Sequence, residues 1–377
     1  MIGWGDVYRV VAAMAPLYFA LGLGYGSVRW LKLFTPDQCE AINRAGLYFA
    51  FPFFSFDFTA RAGTFASGYR VLAADAFSKL AVVLALAFSA SAKAARQARG
   101  GGGRATYSWC ITGFSLAALN NALLVGVPLL DAMYGKWARD IVVQLSVLQS
   151  VVWVPLMLVV FEARQAWLER TPPSSPEEGD QHVPPESGNV ERPAAAGGDL
   201  KTATATATVT GCAFWAPLLR TVGLKVARNP NVYASLLGVA WSSVANRWHL
   251  KIPGILDGSI AIMSKTCIGL GMFSMGLFIG LQDKFIVCGP GLTVLSMVLR
   301  FVAAPATTAV GALVFGLRGD LLCVAILQAA LPPSVATFSF AREYNLHADV
   351  LSTAIVVGTL ASLPVLTTYY VVLGFIK

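Results

Sequence analysis

Residues 327–338 read LQAALPPSVATF. Two adjacent prolines, Pro332 and Pro333, interrupt a stretch that is otherwise apolar enough for a membrane-spanning helix. Each removes a backbone N–H and crowds the carbonyl four residues back. Leu331 and Pro332, each followed by a proline, are also pushed out of the α region. In hydrocarbon such a break persists only where it is packed in protein or lines a wet cavity. The doublet is either a tolerated kink or the place the fold is built around.

The composition around it sets the solvent. The 377 residues are 56% hydrophobic and 13% charged, against about 25% charge in a soluble protein. A membrane span needs roughly 20 apolar residues. Ten stretches qualify, near 7–28, 38–59, 70–92, 107–132, 139–162, 230–246, 253–281, 289–314, 319–341 and 349–375. The opening MIGWGDVYRV has an acid before its only base and no small-residue cleavage site, so it begins the first span rather than a signal peptide.

A net charge of +8 would suit nucleic acid, but the bases sit in loops between apolar stretches, where they set topology. The densest cluster is Lys93, Arg96, Arg99 and Arg104; Arg29 and Lys32 precede the second span, and Arg220, Lys225 and Arg228 the sixth. With ten spans these three groups share one side, read as cytosolic, and both termini face the other. No nucleic-acid partner is expected. The six cysteines form no close pair, which favours ordinary packing over disulfides or a metal, and no residue set points to a metal or a cofactor.

One segment does not belong to the membrane. Residues 171–209 are rich in Pro, Gly, Ser, Thr and acids and nearly devoid of large apolar side chains, a composition that cannot fold alone. It lies in a short cytosolic, disordered linker, 163–212, between a first five-helix repeat at 1–162 and a second at 213–377. Just after it, the basic apolar run 214–228 reads equally as a helix on the membrane surface or as a solvated lead-in. The halves match in rhythm. Each has its break in its fourth span, Asn120-Asn121 in the first and Pro332-Pro333 in the second. An odd number of spans per half inverts the second relative to the first. The expected fold is therefore an all-α integral membrane protein of ten transmembrane helices in a 5+5 inverted repeat, with broken crossover helices in spans 4 and 9. That pattern is the sequence sign of a secondary transporter with a midplane site.

Polar groups inside spans are costly and usually functional. Asp75 and Lys79 in the third span are four apart on one helical face with the acid first, the favourable order for an ion pair. Asn120 and Asn121 tolerate unusual backbone angles and can bond freed backbone groups. Gln144 and Gln149 in the fifth span are weaker signals, one of them readable as simple interhelical glue. Lys265 and Arg300 lie near span centres, and either could snorkel. An intramembrane enzyme is the competing class. There is no HExxH and no facing pair of intramembrane aspartates, so the chain is not expected to be an enzyme.

Three longer stretches carry a family resemblance: YGSVRWLKLFTPDQCEAIN within residues 4–43, NPNVYASLLG at 229–238, and AREYNLHADVLSTA at 341–354. They resemble the plant PIN-FORMED auxin efflux carriers, over nearly all of both membrane halves and excluding the linker. The short linker is similar to that of family members associated with the endoplasmic reticulum, which the resemblance favours over the plasma membrane. The resemblance implies a homodimer with elevator-type movement, spans 1, 2, 6 and 7 forming a scaffold and spans 3–5 and 8–10 a transport domain. It implies indole-3-acetic acid, or a similar aromatic carboxylate, moved out of the cytosol. The substrate-binding residues carried over are Asn121, meeting the carboxylate, with Asn120, Ser55, Pro332 and Val335; Asp75, Lys79 and Gln149 form a support site beside the crossover. This chain departs from the usual family pattern at Asn120, where proline is common, and at Pro333, Ser334, Thr337, Lys265 and Val154. The alternatives are a carrier of another organic anion with a bile-acid-symporter-like fold and sodium coupling, or a membrane protein that binds auxin without moving it.

The charge pattern makes a test of topology. Protease added to sealed, cytosol-out vesicles is expected to cut within residues 171–209; complete protection there would reverse the assignment.

Overall fold

A computed structural model describes residues 4–61, 68–96, 103–170, 219–224 and 227–376. Every regular element among them is helical. The linker at 171–209 lies outside the described residues. Of the run 214–228, residues 219–224 are helical, and Val222 is buried in one apolar cluster with Phe161 and Tyr344.

The helices of the first half are α1 (Trp4–Arg29), α2 (Pro36–Ala45), α3 (Phe51–Arg61), α4 (Tyr69–Arg96), α5 (Gly103–Ala118), α6 (Val127–Tyr134), α7 (Lys136–Leu148) and α8 (Val154–Arg170). Those of the second are α9 (Pro230–Trp248), α10 (Gly254–Gly280), α11 (Pro290–Val298), α12 (Ala304–Val314), α13 (Asp320–Ala329), α14 (Val335–Glu343) and α15 (Ala348–Ile376). Among the described residues, six helical segments are long and apolar enough to cross a membrane: Tyr8–Arg29, Tyr69–Ser89, Lys136–Ala166, Gly254–Gly280, Pro290–Val314 and Ala348–Phe375. Shorter apolar helices at Ala122–Tyr134 and Asp320–Ala329 adjoin the two breaks.

Local chemistry explains the boundaries. The α2 helix starts at Thr35, whose side chain accepts from the Gln38 N–H while the Gln38 side chain accepts from the Thr35 N–H. Asn229 caps α9 by accepting from the Asn231 N–H, with Pro230 in the first turn, where its missing N–H costs nothing. Between α6 and α7 the chain turns through Gly135 at φ 84°, a conformation that suits glycine.

Four π turns, at Gly46–Ala50, Ala122–Gly126, Gln149–Trp153 and Leu299–Ala303, are each followed two residues later by a proline: Pro52, Pro128, Pro155 and Pro305. A proline ring crowds the carbonyl four residues back, and the wider i→i+5 turn makes room for it. Three of these turns join helices into continuous rods: α2 to α3, α7 to α8, and α11 to α12. The remaining one opens the segment after the first break.

The surface is inverted relative to a soluble protein. Phe19, Leu84, Phe88, Ile262 and Val310 are exposed, whereas Ser55, Thr112, Ser115, Arg300 and Ser362 are buried. In lipid, apolar side chains gain nothing by turning inward, and polar ones must find partners. With the six long helices, this makes the chain a multi-pass integral membrane protein.

Small residues set the closest helix contacts. The α1 and α10 helices meet at Gly24 and Gly276, where an added Cβ would stand 2.1 Å from the Phe273 carbonyl oxygen and 2.0 Å from the Leu21 carbonyl oxygen. The α9 and α3 helices meet at Gly238, and α12 rests on α4 at Gly311, beside Ser78 and the Ala74 carbonyl. Gly276→Ala is expected to lower stability by about 1–3 kcal/mol through overpacking. Gly258→Ala, where a Cβ meets nothing within 4 Å, is expected to be neutral. Thermal unfolding of the two variants in detergent measures the difference.

Candidate functional site

Two helices are interrupted, and the interruptions cross. The α5 helix ends at Ala118 and the chain resumes helical form at Ala122; α13 ends at Ala329 and α14 begins at Val335. Between them Asn120 and Pro333 form an isolated antiparallel bridge. The Asn121 N–H donates to the Pro332 carbonyl at 2.9 Å, and the Ser334 N–H donates to the Leu119 carbonyl at 3.4 Å. Each break thus supplies backbone partners for the other, which the surrounding hydrocarbon cannot do. Gly358 on α15 leaves room for the proline ring, since a Cβ there would stand 3.0 Å from Pro333 Cδ.

The neighbouring asparagines have different surroundings. Pro332 has no N–H to give to the Gln328 carbonyl, and that carbonyl accepts from Asn120 Nδ2 at 2.8 Å. The Asn120 N–H donates to Gln149 Oε1 at 3.2 Å, and Gln149 Nε2 donates back to the Asn120 carbonyl at 2.9 Å. Asn120 is thereby a brace: its amide donor is engaged and only Oδ1, an acceptor, is left buried without a partner. Asn121 holds φ −88°, ψ 62° at the amino end of the π turn Ala122–Gly126. Its Nδ2 is a buried donor without a hydrogen-bond partner. The first N–H groups of a helix also lack intrahelical partners and carry partial positive charge. On the opposite side Ser334 caps α14 by accepting from the Ala336 N–H, so two helix amino ends begin at the crossover.

Asp75 and Lys79 pair on α4, with Lys79 Nζ 2.9 Å from Asp75 Oδ2 and both side chains largely buried. Lys79 Nζ also lies 5.5 Å from the ring centroid of Trp153, a cation–π distance. Trp153 closes the π turn that begins at Gln149, so the ion pair backs the residue that holds Asn120. Ser55 is placed elsewhere. Its hydroxyl bonds Ser235 at 2.7 Å between α3 and α9. Val335 is the first residue of α14 and packs, half-buried, against the main apolar core. Gln144 keeps a buried unpartnered Oε1 and lies against Gly68, where a Cβ would be 2.2 Å from it.

Of the two ionisable groups near span centres, Lys265 is exposed on the surface of α10, but Arg300 does not snorkel: it is 1% exposed. Its Nε donates to the Leu331 carbonyl, and its Nη1 donates to the Leu116 and Ala117 carbonyls at 3.3 and 2.9 Å. Arg300 and Gln328 are the crossover residues that reading by spacing missed. The available signals were a charge midway through an apolar stretch and the position four residues before Pro332, whose carbonyl that proline must free.

Beyond α14, His347 accepts from or donates to Thr112 at 2.8 Å and stacks on Trp109. Burial, with Arg164 nearby, pushes its pKa below the ordinary histidine value, so it is neutral near pH 7. A cavity of about 380 Å³ between α4, α5, α11 and α15 is lined by Leu86, Trp109, Leu116, Leu299 and Val350. It is almost wholly apolar and offers nothing to an anion. Two buried donors without a hydrogen-bond partner, Asn121 Nδ2 and Arg300 Nη2, lie at the crossover.

A profile of the membrane transport protein family matches residues 9–370. Over the full length of both chains, the protein is 63% identical to "Probable auxin efflux carrier component 5b" of Oryza sativa subsp. japonica and 48% identical to "Auxin efflux carrier component 5" of Arabidopsis thaliana. It is 37% identical to "Auxin efflux carrier component 8" of Arabidopsis thaliana, covering 99% of this chain and all of that one. Crossed helix breaks inside a multi-pass membrane protein and full-length similarity at these levels agree: the chain is a transporter rather than an enzyme, and it belongs to the PIN-FORMED auxin efflux carriers of the membrane transport protein family.

Proposed function

We propose that the protein carries auxin, indole-3-acetic acid, across a membrane, binding its carboxylate at the crossover beside Asn121. The observation that carries this reading is the buried, unpartnered Asn121 Nδ2 at the amino end of a helix segment. A buried donor without a partner is costly, and a carboxylate is the acceptor that a helix amino end favours most. The full-length relatives are auxin efflux carrier components by name, and auxin joins such a carboxylate to an aromatic ring.

On this reading the ten helical stretches form a 5+5 inverted repeat, and the breaks after α5 and α13 are the centres of spans 4 and 9. Spans 1, 2, 6 and 7 act as a scaffold, in keeping with the glycine contacts between α1 and α10 and between α3 and α9. The remaining spans move as an elevator within a homodimer. Ser55, bonded to Ser235, would serve from the scaffold side, while Val335 and Pro332 would line the half-site on span 9. Asp75, Lys79 and Gln149 support the crossover without touching the anion. The short linker favours the endoplasmic reticulum as the membrane. The sodium-coupled alternative needs inward-turned carbonyls for its cation, and those of Leu116, Ala117 and Leu331 are bonded to Arg300.

Asn121→Ala is expected to weaken indole-3-acetic acid binding by about tenfold or more, the worth of a hydrogen bond to a charged group. Titration of the purified protein in nanodiscs reads this directly, and affinity equal to wild type would sink the reading. Asp75→Asn is expected to lower flux into liposomes strongly while the protein remains folded, since it leaves the Lys79 charge uncompensated in a buried setting. Normal flux would reduce the pair to scaffolding.

A further inference from the structure

We infer that Arg300 is the positioning residue of the crossover: its guanidinium is a resident cation that binds the carboxyl ends of both interrupted helices and thereby commits their amino ends to the anion. The proposal rests on the crossover being the anion site; the Nε and Nη1 donors of Arg300 are taken up by carbonyls, and its Nη2 is left buried without a partner.

The geometry is specific to a guanidinium. The last carbonyls of a helix have no intrahelical partner and carry roughly half a negative charge. At the crossover two such ends meet, that of α5 through Leu116 and Ala117 and that of α13 through Leu331 just beyond it. One fixed positive charge offsets two ends of about half a charge each. The fork of donors reaches carbonyls belonging to two chain segments more than 200 residues apart, which a lysine's point charge cannot match. Other broken-helix carriers place a bound cation against unwound carbonyls and carboxyl ends. Here a side chain stands in that place.

Arg300 is itself held. It lies in the π turn Leu299–Ala303, ahead of Pro305. Pro305 has no N–H for the Phe301 carbonyl, and that carbonyl accepts from the Tyr369 hydroxyl at 2.5 Å. The turn that aims the guanidinium is thus anchored from α15. Burial makes the arrangement demanding, because a guanidinium 1% exposed in a membrane protein is retained only if it is paired.

The consequence for binding is one of placement. With Arg300 present, the Asn121 and Ser334 N–H groups stay in their crossing bonds and the Asn121 side chain stays aimed at the carboxylate site. Without it, repelling carbonyls spread the two breaks.

The test compares wild type with Arg300→Met, Arg300→Lys and Arg300→Ala in nanodiscs, by amide hydrogen exchange without ligand and by indole-3-acetic acid titration. For Arg300→Met, exchange is expected to accelerate about tenfold or more in residues 116–121 and 329–334 while α1 and α10 keep wild-type protection, with affinity falling by a similar factor. Arg300→Lys should recover part of both effects. In Arg300→Ala, millimolar methylguanidinium should restore protection and affinity, and urea, of similar shape but neutral, should not. Wild-type exchange at both breaks in Arg300→Met overturns the proposal. If exchange rises throughout and Arg300→Met has simply lost its fold, the rescue decides, and equal effects of methylguanidinium and urea also overturn it. If exchange rises at the breaks while affinity is untouched, Arg300 is the clamp and the anion site lies elsewhere.

Discussion

A broken helix in hydrocarbon must find partners for its freed backbone groups, and this protein answers with a second broken helix. The Asn121 N–H to Pro332 carbonyl bond and its counterpart from Ser334 to Leu119 are the smallest possible piece of antiparallel sheet. Around that bridge the freed groups are distributed by type. Carbonyls turn toward Arg300 and the Asn120 amide, while Asn121 Nδ2 and Arg300 Nη2 are left as buried donors without partners. Each half-helix has its acceptors at one end and its donors at the other.

The support around the bridge is layered. Gln149 holds Asn120 by a reciprocal pair of bonds, Trp153 follows Gln149 in the same π turn, and the Lys79 ammonium faces that ring while paired to Asp75. Each layer is buried more by its neighbours than by its own chemistry. A change at Asp75 therefore reaches Asn120 through three intermediate side chains, Lys79, Trp153 and Gln149, rather than by contact.

The sequence made the apolar helices legible, because a bilayer imposes a length that few other environments require. It also showed the proline doublet and the Asp75–Lys79 pair, since both are local patterns. The roles of Asn120 and Asn121 were not separable, because the same side chain acts as brace or as donor according to its backbone angles and to a carbonyl contributed by Gln328, 208 residues away. Ser55 was marked by the family resemblance alone, and its bond to Ser235 joins residues that no spacing rule connects. Arg300 could have reached for the interface or stayed inside, and only the position of the Leu116, Ala117 and Leu331 carbonyls decides between them. The π turns were readable after the fact from the prolines that follow them, by a rule that concerns backbone room rather than hydropathy.

The crossing bonds also govern the order in which the chain can be finished during synthesis. When the first half emerges, Asn120 has Gln149 for its backbone, but its side chain must wait for Gln328 and Asn121 must wait for Pro332. The Leu116 and Ala117 carbonyls wait for Arg300. A nascent chain that has inserted residues 4–170 therefore carries an open wound in the bilayer until residues 320–334 arrive. A chaperone or the insertion machinery has that interval in which to recognise it, and a chain truncated before residue 334 would never close it.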